Sequence, residues 1–210
     1  MRRSHLVRFL KTKSLLLSLV TVGPLLVVIL GLTACVKHPV GDPEKSKVDP
    51  KYTGVWLFKE STGGGSLLVM RPYDSRTYYA NIFSYDGEGE EIEPSERMNF
   101  KAWLTTIGGA TFITMEPIGC ALFARVSEKP PYLVGKISLE DGAIHLRLVN
   151  GDEEPAESAN NSRELEAVIA KHVDSDALYM DDAQVFQKTK DKATIKAILD
   201  AFLPEGCDEW

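Results

Sequence analysis

The chain has 210 residues and a formal net charge of −6, with 30 acidic against 24 basic side chains. That balance makes a poor surface for holding nucleic acid or anionic lipid by charge, the more so once the basic leader is set aside. Only three cysteines are present, so the fold must rest on a hydrophobic core and not on a dense set of disulfides.

Chain order begins with a leader. The first thirteen residues carry Arg2, Arg3, Arg8, Lys11 and Lys13 and no acidic side chain, and an apolar run from Leu15 to Leu32 follows, broken by Gly23-Pro24. A basic stretch ahead of an apolar one is an export signal. The run ends in Leu32-Thr33-Ala34-Cys35, which resembles the lipobox of bacterial lipoproteins. The resemblance implies that residues 1–34 are a signal peptide, that the Cys35 thiol takes a diacylglycerol, and that its freed amine is acylated with a palmitate-type chain. Each buried methylene then adds roughly 0.8 kcal/mol to membrane attachment. The alternative is an uncleaved membrane-spanning helix, since roughly 20 apolar residues suffice. Basic residues stay cytoplasmic, so both readings export everything after Leu32. Val36 stands where, by the enterobacterial sorting rule the resemblance brings with it, aspartate retains a protein in the inner membrane. The implied location is the outer membrane, facing the periplasm.

Without residues 1–34 the chain keeps 19 basic and 30 acidic side chains, a net of −11, over 176 residues, enough for one domain and a linker. Residues 35–51 contain Pro39, Pro43, Pro50 and several charges with little to bury, which predicts a lipidated flexible tether. The domain covers 52–210. Short β-branched and aromatic segments separated by turn residues predict strands over 53–59, 66–71, 76–85, 98–107, 110–115, 120–126, 132–139 and 143–149. Alternation assigns their faces: Met98, Phe100, Ala102 and Leu104 share one side, as do Ile144, Leu146 and Leu148. The joins at 62–65, Gly108-Gly109 and Glu140-Asp141-Gly142 are hairpin-sized. Sequential antiparallel pairing follows, and closing the strands into a barrel removes exposed edges.

An acidic loop over 151–160 precedes a helix over 162–173, with Asn161 as N-cap, Glu164 three residues on, and an apolar face of Leu165, Val168 and Ile169. A strand over 183–188 comes next. A last helix over 192–203 repeats Ile195, Ile198, Leu199 and Phe202 and stops at Pro204 and Gly206. The fold class is therefore mainly β: an antiparallel eight-to-nine-stranded barrel with one internal and one C-terminal helix.

Tyr52-Thr53-Gly54-Val55-Trp56 resembles the G-x-W with which lipocalins and related calycin barrels open. The resemblance implies that Gly54 turns the chain at the barrel floor and that Trp56 plugs the closed end, with Arg147 as the residue to stack on it. The T-D-x-x-Y-type segment of lipocalins is absent. An order ending strand then helix also resembles small lipocalin-like bacterial lipoproteins of unassigned function.

Nothing assembles a catalytic site. His38, His145 and His172 fall on the tether, a strand and a helix end, and no G-x-S-x-G, H-E-x-x-H, C-x-x-C or G-K-[ST] motif is present. Gly63-Gly64-Gly65-Ser66 precedes a strand and lacks the helix N-terminus that holds phosphate. Asp86, Glu88, Glu90, Glu91 and Glu93 fail the EF-hand order, because Glu91 stands at the glycine position and Arg97 at the bidentate glutamate; a solvated loop is expected, with no metal and no cofactor. Tyr78, Tyr79, Phe83 and Tyr85 either line a ligand cavity or pack. Cys120 and Cys207 either form one disulfide or stay as a buried and an exposed thiol. Two functions remain open: a non-enzymatic lipid-anchored module holding a small apolar molecule or lipid, and an envelope accessory protein that docks onto other envelope proteins with a filled barrel.

Overall fold

The computed structural model describes residues 35–61, 63–87, 92–118, 132–180 and 183–203. The strands are β1 (Cys35–Val36), β2 (Gly54–Lys59), β3 (Gly65–Pro72), β4 (Tyr78–Asp86), β5 (Glu93–Ile107), β6 (Ala110–Pro117), β7 (Tyr132–Glu140), β8 (Ala143–Leu148) and β9 (Gln184–Lys188); the helices are α1 (Ser162–His172) and α2 (Lys192–Ala201). Their order is β1-β7-β6-β5-β4-β3-β2-β9-β8, and β8 pairs back onto β7, so eight antiparallel strands close a barrel with β1 added to β7.

Closure differs in one respect from sequential pairing. The late strand β9 stands between β2 and β8, with Trp56↔Lys188 and Leu57↔Gln187 on one side and Ile144↔Phe186 on the other. The predicted strand over 120–126 lies outside the described residues. The tight turns are as expected: Gly108 and Gly109 have φ of 60° and 84°, and Asp141 and Gly142 have 50° and 79°, the positive pair that suits the right-handed twist of a two-residue hairpin. β5 is 15 residues long; its first part pairs only with β4 and its last only with β6, the stagger a closed barrel needs.

Alternation decides which residues meet. Trp56, Leu68, Met70, Tyr78, Phe100 and Phe186 form part of one cluster inside the barrel. Outside, α1 packs Leu165 and Ile169 with Ile107, Phe112 and Val134 of β5 to β7, and α2 packs Ile198 with Leu67 and Phe83 of β3 and β4. Asn161 caps α1 by accepting the Glu164 N–H at 3.0 Å, and Asp191 caps α2 by accepting from the N–H groups of Ala193 and Thr194. Among the described residues no helix is long and apolar enough to cross a membrane.

The segment expected as a free tether is packed. Val36 is 3% and Val40 0% exposed. The Val40 carbonyl accepts from Trp103 Nε1 and Thr114 Oγ1, both at 2.8 Å, and Ser46 Oγ donates to the Leu104 carbonyl at 2.8 Å. The sequence shows prolines and charges here, but Val36, Val40 and Val48 are spaced along it and each finds an apolar neighbourhood. Three small anchors suffice for a strap that supplies no core of its own.

Candidate functional site

The chain reaches the barrel floor through this strap. Asp49 receives Tyr78 by two bonds: its N–H donates to Tyr78 Oη at 2.6 Å, and Tyr78 Oη donates to its carbonyl at 3.0 Å. A 3-10 turn over Pro50–Tyr52 then puts Tyr52 in the interior, where the Tyr52 carbonyl accepts from Trp56 Nε1 at 3.0 Å. Burial pushes the Tyr78 hydroxyl up to about 12 and raises that of Tyr52. Gly54, at φ 141°, lets the chain turn from this plug into β2.

Gly54 and Trp56 are thus brought together at one end, with Trp56 1% exposed. The cation on the tryptophan is Lys188, not Arg147: Lys188 Nζ lies 4.8 Å from the ring centroid and donates to the Thr53 carbonyl at 3.2 Å. Arg147 instead stands 4.5 Å over Tyr179 and bonds Asp176 at 2.9 Å. Counting strands without β9 in the ring misassigned this partner. The parity of β9 was the available signal, since Phe186 and Lys188 are two apart and the first is a core residue.

The four aromatic residues of β4 divide in the same way. Tyr78 faces inward, but Phe83 and Tyr85 belong to the outer cluster under α2, where Phe83 meets Phe202 edge-on at 5.3 Å, and Tyr79 faces Arg71 at 5.7 Å. They do not line one cavity, because positions 79, 83 and 85 share a parity opposite to 78.

At the end opposite the plug the interior is looser. Phe58, Ile82, Met98, Leu133 and Leu148, from five strands, are only partly buried against the inner cluster, compared with Val48, Leu104 and Leu139 toward the plug. Two open hollows indent the surface, one beside Asp49, Tyr52, Thr111 and Lys136 and one between Tyr85 and Ala197. Neither is lined by Trp56, Tyr78, Phe100 or Phe186.

Cys35 sits at this looser end, half-buried and unbridged. It pairs with Leu133, and its carbonyl lies against Gly151 so closely that a Cβ there would stand 2.2 Å away. Burial, and then the charge of Asp152, raise its thiol above the ordinary range. Leu32, Thr33, Ala34, Cys120 and Cys207 lie outside the described residues, as do Glu88, Glu90 and Glu91. His145 is on β8 and His172 on α1, with His38 on the strap. Among the described residues no three histidine, cysteine or acidic side chains converge as a metal site. No family model, curated protein or solved structure matches the chain.

Proposed function

We propose that the chain is a lipid-anchored, non-enzymatic accessory module of the cell envelope. In this reading residues 1–34 export it, Cys35 carries the lipid that holds it on the outer membrane, and a filled barrel facing the periplasm docks onto other envelope proteins. The observation that carries the docking half is the packed interior: Trp56, Met70, Tyr78, Phe100, Ile144 and Phe186 are each at most 2% exposed, so the plugged half has no room for a ligand without costly repacking.

A second reading, an apolar small molecule or lipid seated in the barrel, draws support from the half-buried ring of Phe58, Ile82, Met98, Leu133 and Leu148. It fits a shallow seat at the looser end and not a deep pocket. Radiolabelled palmitate supplied to an expressing bacterial host tests the anchor: wild type takes the label and Cys35→Ser does not, and equal labelling of both overturns it. Native mass spectrometry of the protein released from detergent separates the two functions. Bare lipoprotein supports docking, whereas a stoichiometric lipid-sized adduct beyond the covalent acyl chains moves the assignment to carriage.

A further inference from the structure

We infer that the barrel stands on the bilayer in one orientation, with the looser end against the lipid surface and the plugged end facing away. The inference rests on the reading of Cys35 as the lipid-bearing residue. No slack separates that residue from the barrel.

A free tether of fifteen residues over 36–50 would have an end-to-end distance of about 21 Å. The barrel is about as tall as that: the nine residues of β7, at about 3.3 Å each and tilted by about 40°, rise roughly 20 Å. On such a leash either end would reach the headgroups. The structure removes the leash. Cys35 is itself paired with Leu133, and Val36, the next residue, is paired with Tyr132 and 3% exposed. Paired strands lie about 4.8 Å apart, so acyl chains on Cys35 bring the start of β7 to headgroup level.

The same end gathers the surface suited to that contact. β2, β4, β6 and β8 finish there and β3, β5, β7 and β9 begin there, as the antiparallel registers require. It presents Ile118, 38% exposed just past β6, together with the half-buried apolar ring. Among the described residues this end exposes the acids Asp86, Glu93 and Glu96 and the bases Lys59 and Arg97, a mixed charge, so the covalent lipid sets the orientation. The plugged end carries the hairpins at 73–77, 108–109 and 141–142, and Tyr73, 65% exposed, marks its tip. That is the face left to a protein partner.

The test uses the full lipidated chain with Cys120→Ala and Cys207→Ala, in vesicles of zwitterionic phospholipid containing a headgroup-nitroxide lipid. A thiol-reactive fluorophore is attached at Ile118→Cys in one variant and at Tyr73→Cys in the other. The expected result is quenching at 118 several-fold stronger than at 73, unchanged by salt. Equal quenching, or stronger quenching at 73, with palmitate present on the protein, overturns the orientation and leaves the anchor standing. Protein that carries no lipid and fails to float with the vesicles overturns the anchor, and the orientation falls with it.

Discussion

Val40→Ala measures whether the stretch between Cys35 and the barrel floor is structure or leash. Val40 is fully buried among Val36, Phe112 and Val134 in the cluster beneath α1, and the change removes two methyl groups. At about 0.8 kcal/mol each the transfer term is about 1.6 kcal/mol, and the space left behind brings the loss to about 2 kcal/mol. The bonds from Trp103 and Thr114 go to the Val40 backbone carbonyl, so they survive the change and the loss reports packing. With a urea slope of about 2 kcal/mol per molar for a domain of this size, the midpoint should fall by about 1 M. Urea titration of unlipidated Cys35→Ser protein, read by tryptophan fluorescence, makes the measurement, with exposed Lys37→Ala as the control that should not move. A leash contributes nothing to folding. A midpoint within about 0.2 M of the parent, at unchanged slope, would show that residues 36–49 do not hold to the barrel and would refute the packing argument.

Trp56→Ala should cost about 3–5 kcal/mol in the same titration, as for a large core aromatic, and a loss near zero would move Trp56 to the surface and empty the barrel floor of its plug. Alkaline titration tests the plug independently. Tyr78 is pushed up to about 12 by burial from an ordinary value of 10, so the folded state favours the neutral phenol. Its contribution is complete below about pH 10 and is lost as pH rises toward about 12, on the order of 2 kcal/mol in all. Urea midpoints at pH 9 and above should therefore fall more steeply for wild type than for Tyr78→Phe, and parallel curves would place the phenol in water.

Much of the barrel was legible because period-two alternation is a local property. The inward set of β5 and β8, the hairpin glycines and the Asn161 cap could each be read from a few neighbouring residues, and the structure keeps them. The misreadings share one physical origin, which is that their signal lies far along the sequence. β9 looks like an appendage until its two edges are matched to β2 and β8, more than 120 and about 40 residues away, and the cation over Trp56 changes with it from Arg147 to Lys188. The strap is polar by composition because only Val36, Val40 and Val48 are required to bury. Composition averages those three away, while the walls of β5 to β7 select Val36 and Val40 and the inner cluster selects Val48. At the barrel floor Gly54 and Trp56 were legible as residues, whereas nothing local signals the strand that pairs Cys35 with Leu133.

The position of β9 also bears on how the molecule holds together. β2 and β8 would both be sheet edges without it, and unpaired edges are where sheets pair with other chains. The five residues of β9 cover both at once, pairing Trp56 and Leu57 on one side and Ala143 to Leu146 on the other. The plug draws on the same two ends of the chain: Tyr52 comes from the N-terminal turn, and Phe186 and Lys188 come from β9. Barrel closure and floor closure therefore draw on the same residues, Tyr52 at one end of the domain and Phe186 and Lys188 at the other. Contacts this distant in sequence make closure late in folding. If Cys35 carries a lipid as proposed, its half-buried thiol has to be modified before β1 pairs with β7, so a chain whose closure waits for β9 leaves that thiol open for longer.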